Sequence, residues 1–142
     1  MKNDFDIDIT IPSHTRYLRM IGRIGEKVAQ EIGCDEEVRE TLSNQLEVVL
    51  TEGLVNAIKH ANCADPDKEI HIRINVSNKT LEVRIYDNGA GFDLDSVPAP
   101  CFNSSGMEDK GRGIYIIRTL MDSVKYMRSG NGNVLEMRKK LA

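Results

Sequence analysis

Three short segments of this chain hold the residue types that chemistry needs. They are the run from Glu52 to His60, with Glu52 and Asn56 as its central polar pair; Asp87 to Gly91, an aspartate followed by Asn88, Gly89, Ala90 and Gly91; and Lys110, Gly111, Arg112 and Gly113. Glu52 and Asn56 are four residues apart, so on a helix they project from one face, a turn from each other. A solvated stripe with a Glu–Asn hydrogen bond would use such a pair structurally. Chemically, the Asn carbonyl is a hard oxygen that suits Mg2+, an ion that needs few protein ligands when phosphates and water fill its shell. A glutamate one turn away can then orient or deprotonate an attacking hydroxyl or water.

The second segment reads in two ways. Asn-Gly after an aspartate favours positive φ and makes a tight turn. Alternatively, a carboxylate at a strand end beside Gly89 and Gly91 lets a ligand approach the backbone closely. The aspartate could accept a hydrogen bond from the exocyclic amino group of a purine. Context favours the second use, because the strand before Asp87 already has a hairpin partner. Gly111, Arg112 and Gly113 stand before an apolar helix, either as a flexible entry or as half a phosphate loop. A helix N-terminus offers unpaired N–H groups and a dipole that favour a polyphosphate. Lys110 and Arg112 add positive charge at the same place.

The elements that must position these residues follow from periodicity. Phe5, Ile7, Ile9 and Ile11 alternate with Asp6, Asp8 and Thr10, a strand with one buried face, ended by Pro12. Ser13 can cap a helix over about 14–32, striped by Leu18, Ile21, Ile24 and Val28 and closed by Gly33. A second helix starts after the cap Asp35, with Glu36 and Glu37 near its positive end. It runs to about His60 or Ala61 and shares Leu42, Leu46, Val49, Gly53 and Ala57 on one face. Ile70, Ile72, Ile74 and Val76, then Leu81, Val83 and Ile85, make a hairpin around Ser77, Asn78 and Lys79.

From about Phe92 to Lys110 the chain is polar and aperiodic, a length that suits a lid or binding segment. A short helix near Gly113 turns Ile114, Ile117, Leu120 and Met121 inward. Two last strands, about 123–128 and 134–140, are joined by Ser129 to Asn133. The expected class is therefore α+β: a two-layer α/β sandwich, its mostly antiparallel sheet covered on one face by three helices, in a single domain over residues 1–142.

Composition narrows the function. The net charge of −3 argues against broad nucleic-acid binding, and the lack of Trp, with three Phe and four Tyr, against a base-stacking platform. The first ten residues lack the basic flank and apolar core of a signal peptide, and no apolar run spans a bilayer. A cytoplasmic protein without membrane or direct nucleic-acid contacts is expected. Cys34, Cys63 and Cys101 are odd in number and lack zinc spacing, so they read as ordinary reduced thiols.

Taken together, the three segments resemble the N, G1 and G2 boxes of the ATPase superfamily shared by gyrase, Hsp90, histidine kinases and MutL, whose pocket is called the Bergerat fold. The run from Glu52 to His60, and the run from Gly113 to Val124, are similar more specifically to the small anti-sigma-factor serine/threonine kinases of bacteria. The resemblance covers nearly the whole chain.

It implies that Asn56 binds Mg2+, that Asp87 contacts the adenine amino group, and that Gly89 and Gly91 admit base and ribose. It implies further that Gly111 and Gly113, with Lys110 and Arg112, surround the phosphates of ATP. Glu52 is then the general base for a seryl or threonyl hydroxyl. Family members typically phosphorylate an anti-anti-sigma partner of the STAS type, bind an alternative sigma factor and form homodimers. Gly53 stands where the family usually has Ala, a change that loosens a helix by under ~1 kcal/mol. An ATP-gated regulatory binding module without phosphotransfer would use the same nucleotide residues, and Glu52 is the residue that favours the kinase.

Overall fold

A computed structural model describes residues 4–32, 35–61, 65, 67–89, 108–130 and 132–141. Its strands are β1 (Phe5–Pro12), β2 (Glu69–Ser77), β3 (Thr80–Asp87), β4 (Ser123–Ser129) and β5 (Gly132–Lys140). They form one sheet in the order β1-β2-β3-β5-β4, every neighbouring pair antiparallel. The β2–β3 hairpin turns through Asn78 and Lys79, with φ of 52° and 58°. Two consecutive left-handed residues are what a two-residue hairpin loop needs to match strand twist. That turn sets Ile72 opposite Ile85 and Ile74 opposite Val83, so both strands send their apolar residues to the same face.

The other face carries charge. Arg73 pairs with Asp6 at 2.6 Å, Arg138 with Glu82 at 2.7 Å and Arg84 with Glu136 at 3.1 Å, each across neighbouring strands. Hydrogen bonds from Arg73 hold the Asp6 carboxyl below the usual carboxylate range.

Three α-helices cover the apolar face: α1 (Leu18–Ile32), α2 (Glu36–Val55) and α3 (Glu108–Leu120). Asp35 caps α2 as expected, its Oδ1 accepting the Val38 N–H at 2.8 Å. The start of the first helix differs from expectation. A 3-10 turn over Thr15–Tyr17 precedes α1, and the cap is His14, whose Nδ1 accepts the Arg16 N–H at 2.9 Å. Ser13 is buried instead, and its N–H donates to the Lys68 carbonyl at 2.8 Å. The corner that joins β1 to the edge of β2 needs that residue inside. Gly33 lies outside the described residues.

The third helix also starts earlier than expected, at Glu108 rather than near Gly113, so Lys110, Gly111 and Arg112 lie within its first turns. First-turn N–H groups have no intrahelical partner, so glycine there gives up less than it would mid-helix. At the far end, Lys139 Nζ donates to the Leu120 carbonyl at 3.0 Å and ties α3 to β5.

Helix α1 crosses α2 closely. A Cβ at Gly25 would lie 2.7 Å from Leu50 Cδ1, and one at Gly22 3.2 Å from both Glu47 Cγ and Thr51 Oγ1. The core draws on both layers, with Ile21, Leu46, Leu50 and Leu54 of the helices against Ile70, Ile72, Ile74 and Leu81 of the sheet. Among the described residues no helix is long and apolar enough to cross a membrane.

The same crossing sets two carboxyls against each other. A hydrogen bond with Glu26, then burial and the Glu26 charge, raises the Glu47 pKa above its ordinary 4.5. A carboxyl whose folded pKa is raised stabilises the fold below its unfolded value and loses that contribution as pH rises through the folded one. Glu47→Gln keeps a neutral partner for Glu26 at every pH. Its melting temperature is expected to exceed that of the parent at neutral pH, and the gap to close by about pH 4, as followed by circular dichroism.

Candidate functional site

Helix α2 does not stop at Val55 but continues as π-helical turns over Asn56–Ala61. Such wide turns recur at functional sites, because they break the regular ladder and re-aim side chains. Asn56 stands at the junction. Its backbone N–H donates to the carbonyls of Glu52 and Gly53, and its side-chain Nδ2 donates to the Glu52 carbonyl at 3.1 Å. That bond assigns the two ends of the amide, with nitrogen toward the helix and the acceptor oxygen away from it. Asn56 is only 3% exposed. Glu52, a turn earlier, is half-buried.

Gly113 of α3 meets both side chains. A Cβ there would lie 2.9 Å from Glu52 Oε2 and 3.3 Å from Asn56 Nδ2. Only a residue without a side chain lets α3 rest against this pair undisturbed. The π-helical segment touches β3 as well as α3, so it links the helix-borne pair to the strand that ends in Asp87.

Asp87 closes β3 as a buried carboxylate, 4% exposed. Its Oδ1 accepts the Gly89 N–H at 2.9 Å, an Asx turn that holds the loop. The same oxygen accepts from Asn133 Nδ2 at 3.0 Å, and Oδ2 accepts from the Tyr126 hydroxyl at 3.4 Å. Gly132, on the neighbouring strand, leaves no room for a side chain, since a Cβ would overlap the Asp87 carbonyl oxygen.

Glu52, Asn56 and Gly113 therefore come together directly, and Asp87 and Gly89 form a second cluster beyond the π-helical segment. Gly91 lies outside the described residues, as does the expected lid up to residue 107. The backbone of Lys110, Gly111 and Arg112 is helical. Sequence reasoning missed Asn133 by placing it in the turn before the last strand. It belongs to β5, directly opposite Asp87 in the register. The signal was present: Leu135 and Met137 face the core, and stepping back two residues along the strand puts Asn133 on the same side.

Comparison with known proteins places the fold. The family described as histidine kinase-like ATPase domain matches residues 11–139. The catalytic domain of the histidine kinase ThkA superposes with a TM-score of 0.57 at 14% identity, over 97% of this chain and 95% of that one. The histidine kinase domain of the blue-light activated kinase from Erythrobacter litoralis gives 0.53 at 20% identity, over 92% of this chain, which spans 62% of that domain. These two likenesses concern the fold alone.

Sequence relatives are more specific. Serine-protein kinase RsbW of Bacillus subtilis is 30% identical over 148 aligned residues, covering 99% of this chain and 89% of the relative. The protein of the same name from Listeria innocua is 31% identical over 126, covering 84% and 77%. The chain belongs to the histidine kinase-like ATPase domain family and, within it, to the serine-protein kinases of the RsbW kind.

The contact at Gly113 carries a test. In Gly113→Ala the new methyl displaces the Glu52 carboxylate by a few tenths of an ångström. With Glu52 as the base expected from the sequence, a small misplacement is costly, and phosphotransfer turnover should fall by about tenfold or more, with little change in melting temperature. Steady-state kinetics beside thermal unfolding measures both.

Proposed function

We propose that this chain is a Mg-ATP-dependent serine/threonine kinase and anti-sigma factor. In this reading it phosphorylates an anti-anti-sigma partner of the STAS type and holds an alternative sigma factor. The observation that carries the reading is the meeting of Glu52, Asn56 and Gly113 at the end of α2. Kinship with proteins named serine-protein kinase supports it.

The residues present suit the nucleotide. The Asn56 amide spends its nitrogen on the Glu52 carbonyl, so its oxygen is the atom that can face a cation. Among the described residues no three His, Cys, Asp or Glu side chains cluster as a metal cage. One protein oxygen beside phosphates and water is a usual way to hold Mg2+. Asp87 accepts the adenine amino group, with Gly89 and Gly91 beside base and ribose. Gly113, with Lys110, Gly111 and Arg112, surrounds the phosphates, and the free N–H groups of the first turn of α3 favour anions. When bound, Mg-ATP supplies the phosphoryl group and neutralises charge developing on it. Glu52 takes the proton of the incoming seryl or threonyl hydroxyl, and Gly113 leaves its carboxylate room to do so.

Glu52→Gln keeps the size of the side chain and removes the base. It is expected to bind ATP as the parent does and to lose phosphotransfer to the partner by about a hundredfold or more. Asp87→Asn, by contrast, should lose ATP binding. Normal transfer by the Glu52→Gln protein would mean that another group is the base.

We also propose a homodimer formed through β1 and α1. The edge strand and this helix border a groove of about 820 Å3, lined by apolar Phe5, Ile7, Ile24 and Val28 and by Met20, which is 45% exposed. An unpaired strand edge beside such a groove suits a second copy. Met20→Glu is exposed enough to fold normally, and sedimentation should find it monomeric where the parent is dimeric. A monomeric parent would refute the dimer.

A further inference from the structure

The hydrogen bonds around Asp87 extend into a relay across three strands. Arg128 of β4 donates from Nη1 to Asn133 Oδ1 at 3.5 Å. Asn133 of β5 donates from Nδ2 to Asp87 Oδ1 and to the Gly89 carbonyl, each at 3.0 Å. Tyr126 of β4 reaches the other carboxylate oxygen at 3.4 Å. The Asn133 amide can stand only one way round. Both groups facing its nitrogen are acceptors, and a flipped amide would set oxygen against oxygen while its NH2 faced a guanidinium. Asn133 and Asp87 are 3% and 4% exposed, so water does not substitute for these bonds without rearrangement.

We propose that Asn133, assisted by Tyr126, is a positioning and specificity-determining residue for the nucleotide base, holding Asp87 as an acceptor-only group that favours a purine with an amino substituent over one with a carbonyl oxygen at that position. The inference rests on Asp87 being the base contact.

A carboxyl group able to keep a proton could greet either substituent, donating to a carbonyl or accepting from an amine. Here donors already occupy both oxygens: the Gly89 N–H and Asn133 Nδ2 on Oδ1, the Tyr126 hydroxyl on Oδ2. Only lone pairs remain for a ligand. An adenine amino group satisfies them, whereas a carbonyl oxygen in its place leaves acceptor facing acceptor in a buried site, the kind of mismatch that discriminates strongly. The second bond of Asn133, to the Gly89 carbonyl, locks the loop that places the carboxylate, so one side chain both positions Asp87 and occupies one of its oxygens.

The test compares ATP with inosine triphosphate, which differs in carrying the carbonyl, by calorimetric titration of the full chain. The parent is expected to favour ATP by about tenfold or more. Asn133→Asp is nearly isosteric and puts carboxyl against carboxyl, an arrangement that holds only by sharing a proton. That proton lies between the two carboxyls and lowers the charge Asp87 presents to the ligand, weakening its attraction for an amino group and its repulsion of a carbonyl alike. The preference should therefore contract toward unity, with ATP affinity falling more than inosine triphosphate affinity. Tyr126→Phe should contract it in the same direction by a smaller factor, and it carries the test alone if the first variant does not fold. An unchanged preference in the folded variants, or an equal loss for both nucleotides, overturns the proposal and leaves Asn133 a staple between strand and loop. Asp87→Asn is titrated alongside. If that protein binds ATP normally, the base contact itself is wrong; if it loses ATP while the Asn133→Asp preference is unchanged, only the present inference fails.

Discussion

Helix α2 approaches the sheet closely at Gly53, and the candidate site residues Glu52, Asn56 and Asp87 flank that contact. A Cβ at Gly53 would fall 2.6 Å from Ile85 Cδ1, inside any normal contact, so the δ-methyl fills the space that a side chain would take. Glu52 and Asn56 stand one and three residues from Gly53, and Asp87 stands two residues from Ile85 on the same face of β3. The contact thus spaces the helix-borne pair against the strand-borne carboxylate. An alanine at position 53 would favour the isolated helix by about 1 kcal/mol, yet its methyl would have to move Ile85. Glycine here leaves the Ile85 δ-methyl where it stands, and an alanine would ask that methyl to move aside.

The site is polar chemistry set into an apolar core. Asn56 is flanked along the chain by the buried Leu54, Ala57 and Ile58, and Asn133 by Val134 and Leu135. A buried polar atom without a partner costs about 1–3 kcal/mol, so such residues persist only when each is satisfied. The Asn56 amide nitrogen is satisfied by the helix it stands on, Asp87 by a loop N–H and by side chains of β5 and β4. These bonds also restrict rotation, and a carboxylate or amide held this way meets a ligand without first having to be ordered.

The charged outer face of the sheet and the apolar edge at β1 divide the remaining surface. Cross-strand pairs such as Arg84 with Glu136 give the outer face nothing for a further helix to cover. The groove at β1 and α1 is the opposite case, an apolar seam at a sheet edge. The first strand and helix, rather than the charged sheet face, are therefore the surface that suits the proposed second copy.

Much of this was legible in the sequence because it is governed by local periodicity. Alternation over Ile70–Val76 and Leu81–Ile85 specifies the hairpin and which face is buried, and Asp35 with two glutamates after it specifies where α2 begins. The spacing of Glu52 and Asn56 determines that they share a helix face. What the sequence left open were matters of distance between segments far apart in the chain. His14 rather than Ser13 caps the first helical turn, while the Ser13 N–H binds Lys68, more than fifty residues on. That Gly113 must rest on Glu52, that Gly53 must admit Ile85, and that Asn133 must face Asp87 are consequences of how strands and helices stack. Sequence period determines which way a side chain points along its own element; only packing decides what it meets there.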